Sequence, residues 1–172
     1  MEALAFSWLG DIVLLFAYKG QLYFIIGLIS FLIAHVAYIL AFKKEIYGYH
    51  PKKSFPWIPF VAVVAYLIAL WYLLIPVLGG LKIPVVVYSL VISGMLAMSI
   101  YVDYIVASKS SKWMMLGAVC FVLSDSILAI NKFLTPVPLA AVAIMSTYLF
   151  AQYALVRGFL SLWGGNQTVR NL

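Results

Sequence analysis

The sequence predicts an all-α fold, a polytopic transmembrane helical bundle of six spans with both termini in the cytoplasm. Three observations predict it. The 172 residues are 66% hydrophobic and 9% charged, and their mean hydropathy of +1.11 lies far outside the range of water-soluble domains. Apolar residues gather into six runs, each near the roughly 20 residues a helix needs to cross about 30 Å of hydrocarbon. The basic residues fall between those runs and concentrate in alternate connections, as membrane topology signals do.

The runs are Ala3 to Tyr18, Leu22 to Phe42, Phe55 to Leu78, Ile83 to Val106, Trp113 to Ile130 and Val137 to Val156. They lack the two-residue alternation of a membrane barrel, so helices, which satisfy their own backbone groups, are the expected solution. The first run is short and the last ends at Arg157. Between them "YKGQ", "YGYHPKKSFP", "GGLKIP", "SKSSK" and "LTPVP" supply the Gly, Pro, Ser and Lys of chain reversals. Six spans leave no length for a soluble domain, and residues 1–172 read as one transmembrane domain. One side receives Lys43, Lys44, Lys52, Lys53, Lys109, Lys112, Arg157 and Arg170, and the other only Lys19, Lys82 and Lys132. That bias places the richer side in the cytoplasm, with Trp57, Trp113 and Trp163 as interfacial anchors there. Glu2, Asp11 and the absence of a basic start argue against a cleavable signal peptide. The net charge of +6 is thus a topology signal, and no nucleic-acid partner is expected. The single Cys120 can build neither a disulfide framework nor a cysteine metal site within one chain.

Ionisable groups inside the runs carry the functional question. Counting about 1.5 Å per residue from the predicted cytoplasmic ends puts Asp11 roughly 12 Å deep, His35 about 10 Å and Asp125 about 18 Å. Three such groups at overlapping depths point to a shared internal cavity; the alternative is a structural polar cluster that holds helices together. Tyr148 and Gln152 lie four apart on the last helix, and His35 and Tyr38 lie within one turn on the second, so these pairs can glue helices or line a pocket. Lys132 follows Asp125 by seven residues on roughly the same face and is expected to snorkel. Asp103, one turn from a helix end, is expected to reach water or a lysine, and His50 beside Pro51 to be solvated. The Gly and Ser residues of "SLVISGMLAMS" suit close helix packing. "GLISFLIAH" (27–35) and "GAVCFVLSD" (117–125) share Gly, Phe and a polar group at four-residue spacing, a weak internal echo.

A histidine-rich zinc site is not expected when His35 is the one deeply placed histidine. The sequence contains no GxSxG elbow and no glycine-rich phosphate loop, and neither metal nor cofactor is expected. Two carboxylic acids in apolar surroundings remain. Acids so placed cannot both ionise cheaply, so one can keep a proton while the other is charged, as acid chemistry on a bond that needs both a proton and a water requires.

"SWLGDIVLL", "GLISFLIAHVAYILAF", "PVVVYSLVISGMLAMS", "GAVCFVLSDSILAINKF" and "YLFAQYALVRG", in this order on successive helices, resemble the YhhN family of membrane proteins, which includes the mammalian lysoplasmalogenases. The resemblance covers about Ser7 to Gly158. It implies an eight-helix fold with two further apolar segments ahead of the "GD" helix. It also implies hydrolysis of the vinyl ether bond of lysoplasmalogens to a fatty aldehyde and glycerophosphoethanolamine or glycerophosphocholine. The family's paired acids correspond to Asp11 and Asp125, and its histidine and tyrosine on the second of these helices to His35 and Tyr38.

The residues suit that reaction. One acid would protonate the outer vinyl carbon, and the other would stabilise the resulting oxocarbenium ion and activate water, as paired carboxylates do in glycosidases. His35 would orient an acid or relay protons, and Tyr38, Tyr88, Lys132, Tyr148 and Gln152 would form the pocket wall and headgroup contacts. The expected partners are a lysophospholipid substrate and membrane lipid, and the sequence carries no signal for an oligomeric state. The basic-loop bias suits a bacterial inner membrane. Two alternatives stand beside the enzyme: a proton-coupled transporter, disfavoured because most prolines sit at helix ends, and a noncatalytic lipid-binding protein.

Overall fold

Proline, glycine and serine set the helix ends in the computed structural model, which describes residues 2–47 and 55–170, with side chains to residue 162. Among the described residues there are six α-helices: α1 (Glu2–Leu14), α2 (Gln21–Glu45), α3 (Trp57–Leu74), α4 (Lys82–Val106), α5 (Lys109–Phe133) and α6 (Ala140–Arg170). His50, Lys52, Lys53 and the side chains of Trp163 and Arg170 lie outside the described residues. Five helices, α2 to α6, are long and apolar enough to cross a membrane. The first run departs from the expected full span: the 13 residues of α1 rise only about 20 Å. After Leu14 the backbone tightens, with the Phe16 N–H bonding the Val13 carbonyl at 3.0 Å, and a 3-10 turn at Ala17–Lys19 leads into α2.

Other ends shift for local reasons that hydropathy does not sense. Pro56 occupies the N-cap of α3 and Pro76 follows its end, so α3 is shorter than its apolar run, as proline's missing N–H and its restriction of the preceding residue require. α5 begins earlier than its run because Ser108 caps it. The Ser108 hydroxyl accepts from the Ser111 N–H at 3.0 Å, and the Ser111 hydroxyl accepts from the Ser108 N–H at 2.9 Å. The Ser111 hydroxyl also donates to Asp103 Oδ1 at 2.8 Å. Asp103, partly exposed near the end of α4 as the expected access to water requires, thus also meets a serine in the first turn of α5.

Neighbouring helices pack where small residues permit it. α1 lies antiparallel on the Gln21 half of α2, where Ser30 Oγ donates to the Phe6 carbonyl at 2.8 Å. α5 and α6 approach most closely. A Cβ on Gly117 would stand 2.9 Å from the Ala151 carbonyl, and one on Gly158 2.9 Å from the Ser110 carbonyl. These contacts are with backbone, which cannot swing aside. Farther along the pair, Ser124 Oγ donates to the Ile144 carbonyl at 3.0 Å. α2 packs on α4, α4 on α5, and α3 lies against α4, tied to it by Trp71 Nε1 donating to Ser89 Oγ at 2.7 Å.

The exterior is apolar, with Ile29, Val61, Ile68 and Leu149 exposed. That distribution is the reverse of a water-soluble protein and fits lipid as the solvent. Trp57 is exposed at the start of α3, and Trp113 lies under the Arg157 guanidinium at 4.6 Å, both suited to an interface. At the centre, Phe31, Phe121 and Tyr148 meet edge to face at 5.4–6.2 Å, near the range favoured for aromatic pairs. The two phenylalanines of the internal echo thus face one another.

Gly117→Val should force α5 from α6 and lower stability by about 1–3 kcal/mol. Gly94→Ala, whose added Cβ would have its nearest neighbour at 3.8 Å, should leave it unchanged. Thermal midpoints of both variants in detergent test the contrast.

Candidate functional site

Two positions dominate the polar interior, one around each intramembrane aspartate. Asp125 sits on the α5 face that also presents Val122, Ala129 and Lys132, residues three, four and seven apart. This face lines a cleft between α2, α3, α4 and α5 that holds about 590 Å³ of empty space, its mouth included. Leu28, Leu70, Leu74, Ile92 and Leu128 supply apolar wall, and Tyr66, Tyr88, Ser89, Ser93 and Ser126 supply hydroxyls. The Tyr88 hydroxyl donates to Asp125 Oδ2. Beside it, Ser126 Oγ bonds both Tyr66 and the Val122 carbonyl. A serine has one hydroxyl proton. Because that proton goes to Val122, Tyr66 is the donor in its bond with Ser126.

Asp11 belongs to a second assembly. Tyr38 OH donates to Gln152 Oε1 at 2.7 Å, Gln152 Nε2 donates to Tyr148 OH at 3.1 Å, and Tyr148 OH donates to Asp11 Oδ2 at 2.7 Å. The chain links α2, α6 and α1 and runs in one direction, so its last acceptor is a carboxylate oxygen. It does not line the cleft occupied by Asp125. The two aspartates are nonetheless within Coulombic reach of each other, consistent with the similar depths obtained from helix rise.

His35 stands between the assemblies. Its ring packs edge-on against Phe121 at 4.6 Å and Tyr88 at 5.4 Å. It is fully buried, and neither ring nitrogen meets a hydrogen-bond partner among the described residues. The Phe31 carbonyl one turn back lies near the ring without hydrogen-bond geometry. His35 therefore contacts neither acid through a hydrogen bond. The structure separates the expected set: Asp125, Tyr88 and Lys132 share the cleft, while Asp11, Tyr38, Tyr148 and Gln152 form the neighbouring chain.

The sequence alone assigns Tyr66, Ser89, Ser93 and Ser126 no chemical role. Ser93 Oγ is buried without a partner among the described residues. Tyr66 offered a usable signal, a phenol in the middle of the apolar stretch "AVVAYLIAL", since a mid-membrane hydroxyl needs a partner. The serines carried little, because small residues at helix crossings serve packing as readily as polarity. Among the described residues no group of three metal-ligating side chains comes together.

Fold and site define an integral membrane protein with carboxylic acids held inside a helical bundle. The chain matches the YhhN family over residues 1–159 and belongs to that family. It is 34% identical over 153 residues to the human protein named lysoplasmalogenase TMEM86A, covering 87% of this chain and 60% of that one. Mouse lysoplasmalogenase TMEM86B is 33% identical, with 77% of this chain and 52% of the relative aligned. A lysoplasmalogenase of Mycobacterium bovis is 33% identical, with 79% and 51% aligned. The chain thus spans between 51% and 60% of the length of these relatives. No solved structure matches it.

Gln152→Leu removes both the acceptor of Tyr38 and the donor to Tyr148. It should lower the unfolding free energy by about 1 kcal/mol, a magnitude at which interhelical hydrogen bonds in membranes are measured. Equilibrium unfolding in mixed detergent micelles, compared with wild type, checks this.

Proposed function

We propose that this chain carries a lysoplasmalogenase-type hydrolase site that cleaves the vinyl ether bond of a lysoplasmalogen. The products would be a fatty aldehyde and glycerophosphoethanolamine or glycerophosphocholine. The observation that carries the reading is Asp125 opening onto a largely apolar cleft while Asp11, anchored as an acceptor, lies within Coulombic reach. Relatives named lysoplasmalogenase support the choice of reaction.

The proposed roles follow from access and hydrogen-bond direction. Tyr88 occupies Asp125 Oδ2, which leaves Oδ1 to carry a proton to the outer vinyl carbon. Protonation there moves the double-bond electrons and produces an oxocarbenium ion at the carbon bonded to oxygen. Asp11, whose Oδ2 accepts the Tyr148 proton, supplies negative charge toward that cation. Water adds to the cationic carbon and returns a proton to Asp125, giving a hemiacetal. Its collapse breaks the bond to the glycerol oxygen and releases aldehyde and alcohol. Leu70, Leu74 and Leu128 offer apolar contact to the alkenyl chain, as ligand pockets with a few placed polar groups do. The basic-residue bias supports a bacterial inner membrane with the richer side cytoplasmic. A transporter built on broken helices is disfavoured, since α2, α4 and α5 each run unbroken for 25 residues.

Purified wild type, Asp125→Asn and Asp11→Asn, each incubated with 1-alkenyl-lysophospholipid, test the proposal by aldehyde release. Wild type should release aldehyde. Asp125→Asn should lose about 10²–10⁴-fold in kcat, and Asp11→Asn about 10²–10³-fold through lost charge stabilisation. Wild type that binds the lipid and releases none would end the enzyme reading, whereas full activity in both variants would end the paired-acid roles.

A further inference from the structure

Lys132 lies at the mouth of the Asp125 cleft, exposed, with its Nζ 4.3 Å from the Phe24 ring centroid and 5.9 Å from that of Phe133. No carboxylate lies within ion-pair distance of it among the described residues. Of the chain's five acids, Glu2 begins α1, Asp11 is held by Tyr148, Glu45 and Asp103 lie at the opposite end of the bundle, and Asp125 lies two turns deeper in the same cleft. The cleft thus has an acid at depth, apolar walls, and an unneutralised cation at its entrance.

We infer that Lys132 is a phosphate seat that sets how far the substrate enters and so brings its vinyl ether level with Asp125. The inference rests on the hydrolase reading of this site. Lys132 and Asp125 share a face of α5, and their seven-residue separation corresponds to about 10.5 Å of helix rise. In a lysoplasmalogen, seven bonds separate phosphorus from the outer vinyl carbon. At the reach of about 3.5 Å per three extended bonds, they span roughly 8 Å. A charge-assisted N–H···O contact of about 2.8 Å joins ammonium to phosphate, and the flexible lysine stem takes up the difference between backbone rise and lipid reach. A lysine suits this use, since its ammonium is a point charge on a flexible stem. Phe24 and Phe133 hold the ammonium near the entrance by their ring faces without cancelling its charge. The same chemistry could be drawn from bulk bilayer phosphates, so the test is made in maltoside micelles, which contain none.

The experiment measures binding of two non-hydrolysable saturated ethers, 1-alkyl-glycerophosphoethanolamine and 1-alkylglycerol, by titration calorimetry. Wild type should prefer the phosphate-bearing ether by about tenfold or more. Lys132→Gln should bring the two affinities within about twofold, and Lys132→Arg should keep the preference. The alkylglycerol affinity of each preparation is the internal reference for a folded cleft. An unchanged preference in Lys132→Gln, or equal loss of both ligands, overturns the assignment. A preference that collapses as expected in a protein releasing no aldehyde from the vinyl ether would sink the hydrolase reading and leave the phosphate seat standing.

Discussion

The bond from a tyrosine hydroxyl to a half-buried aspartate, made twice, is the interaction on which the rest of this structure depends. A carboxyl group within a membrane bundle must be paired, hydrogen-bonded or open to a polar cavity, because unmet polarity in hydrocarbon costs several kcal/mol. Tyr148 meets this demand for Asp11 and Tyr88 meets it for Asp125. Each bond also joins two helices, α6 to α1 across the length of the chain and α4 to its sequence neighbour α5. The bundle's polar interior and its helix arrangement are therefore one problem. The glycine contacts of α5 with α6 bring the Tyr148 helix close to the Asp125 helix, and the antiparallel α1–α2 pair delivers Asp11 to Tyr148.

Between the two bonds lies an aromatic partition of Phe31, His35 and Phe121. It keeps the assemblies distinct, so that Asp125 faces the cleft while Asp11 faces a fixed row of donors. For the proposed chemistry the separation has a use. Two carboxyl groups on the same cavity wall would compete for one proton, whereas here only one opens to the substrate's side. Charge on the other still reaches across, because a low-dielectric interior weakens electrostatic interactions little over short distances.

Much of the architecture is legible in the sequence because lipid makes hydropathy nearly sufficient: five of the six apolar runs become helices long enough to cross. The shortfall of the first is not legible from polarity, since Leu15 and Phe16 are as apolar as the residues before them, and a backbone turn ends that helix. The early start of α5 depends on Ser108 and Ser111 exchanging side-chain and backbone bonds, which a hydropathy window reads merely as a polar gap. For the site, residue types and depth locate both aspartates, and four-residue spacing anticipates the Tyr148–Gln152 contact. The cleft assignment is beyond such counting. Which side of α5 opens and which side packs depends on helix rotation and on the position of α3. Tyr66 and Ser126 meet across 60 residues of chain, with no local pattern to announce it. His35 shows the converse, since its type and depth suggest a role in proton transfer, yet its ring is held by aromatic packing.

The central claim is that this intramembrane acid site delivers a proton to carbon. Its most direct test is product labelling: the purified protein acts on a 1-alkenyl-lysophospholipid in deuterium oxide, and the aldehyde is trapped at once and weighed by mass spectrometry. Protonation of the outer vinyl carbon predicts one deuterium on the carbon next to the aldehyde group, formed at a rate that depends on the protein. Protein-dependent aldehyde without that deuterium, or release no faster than in protein-free micelles, would contradict it.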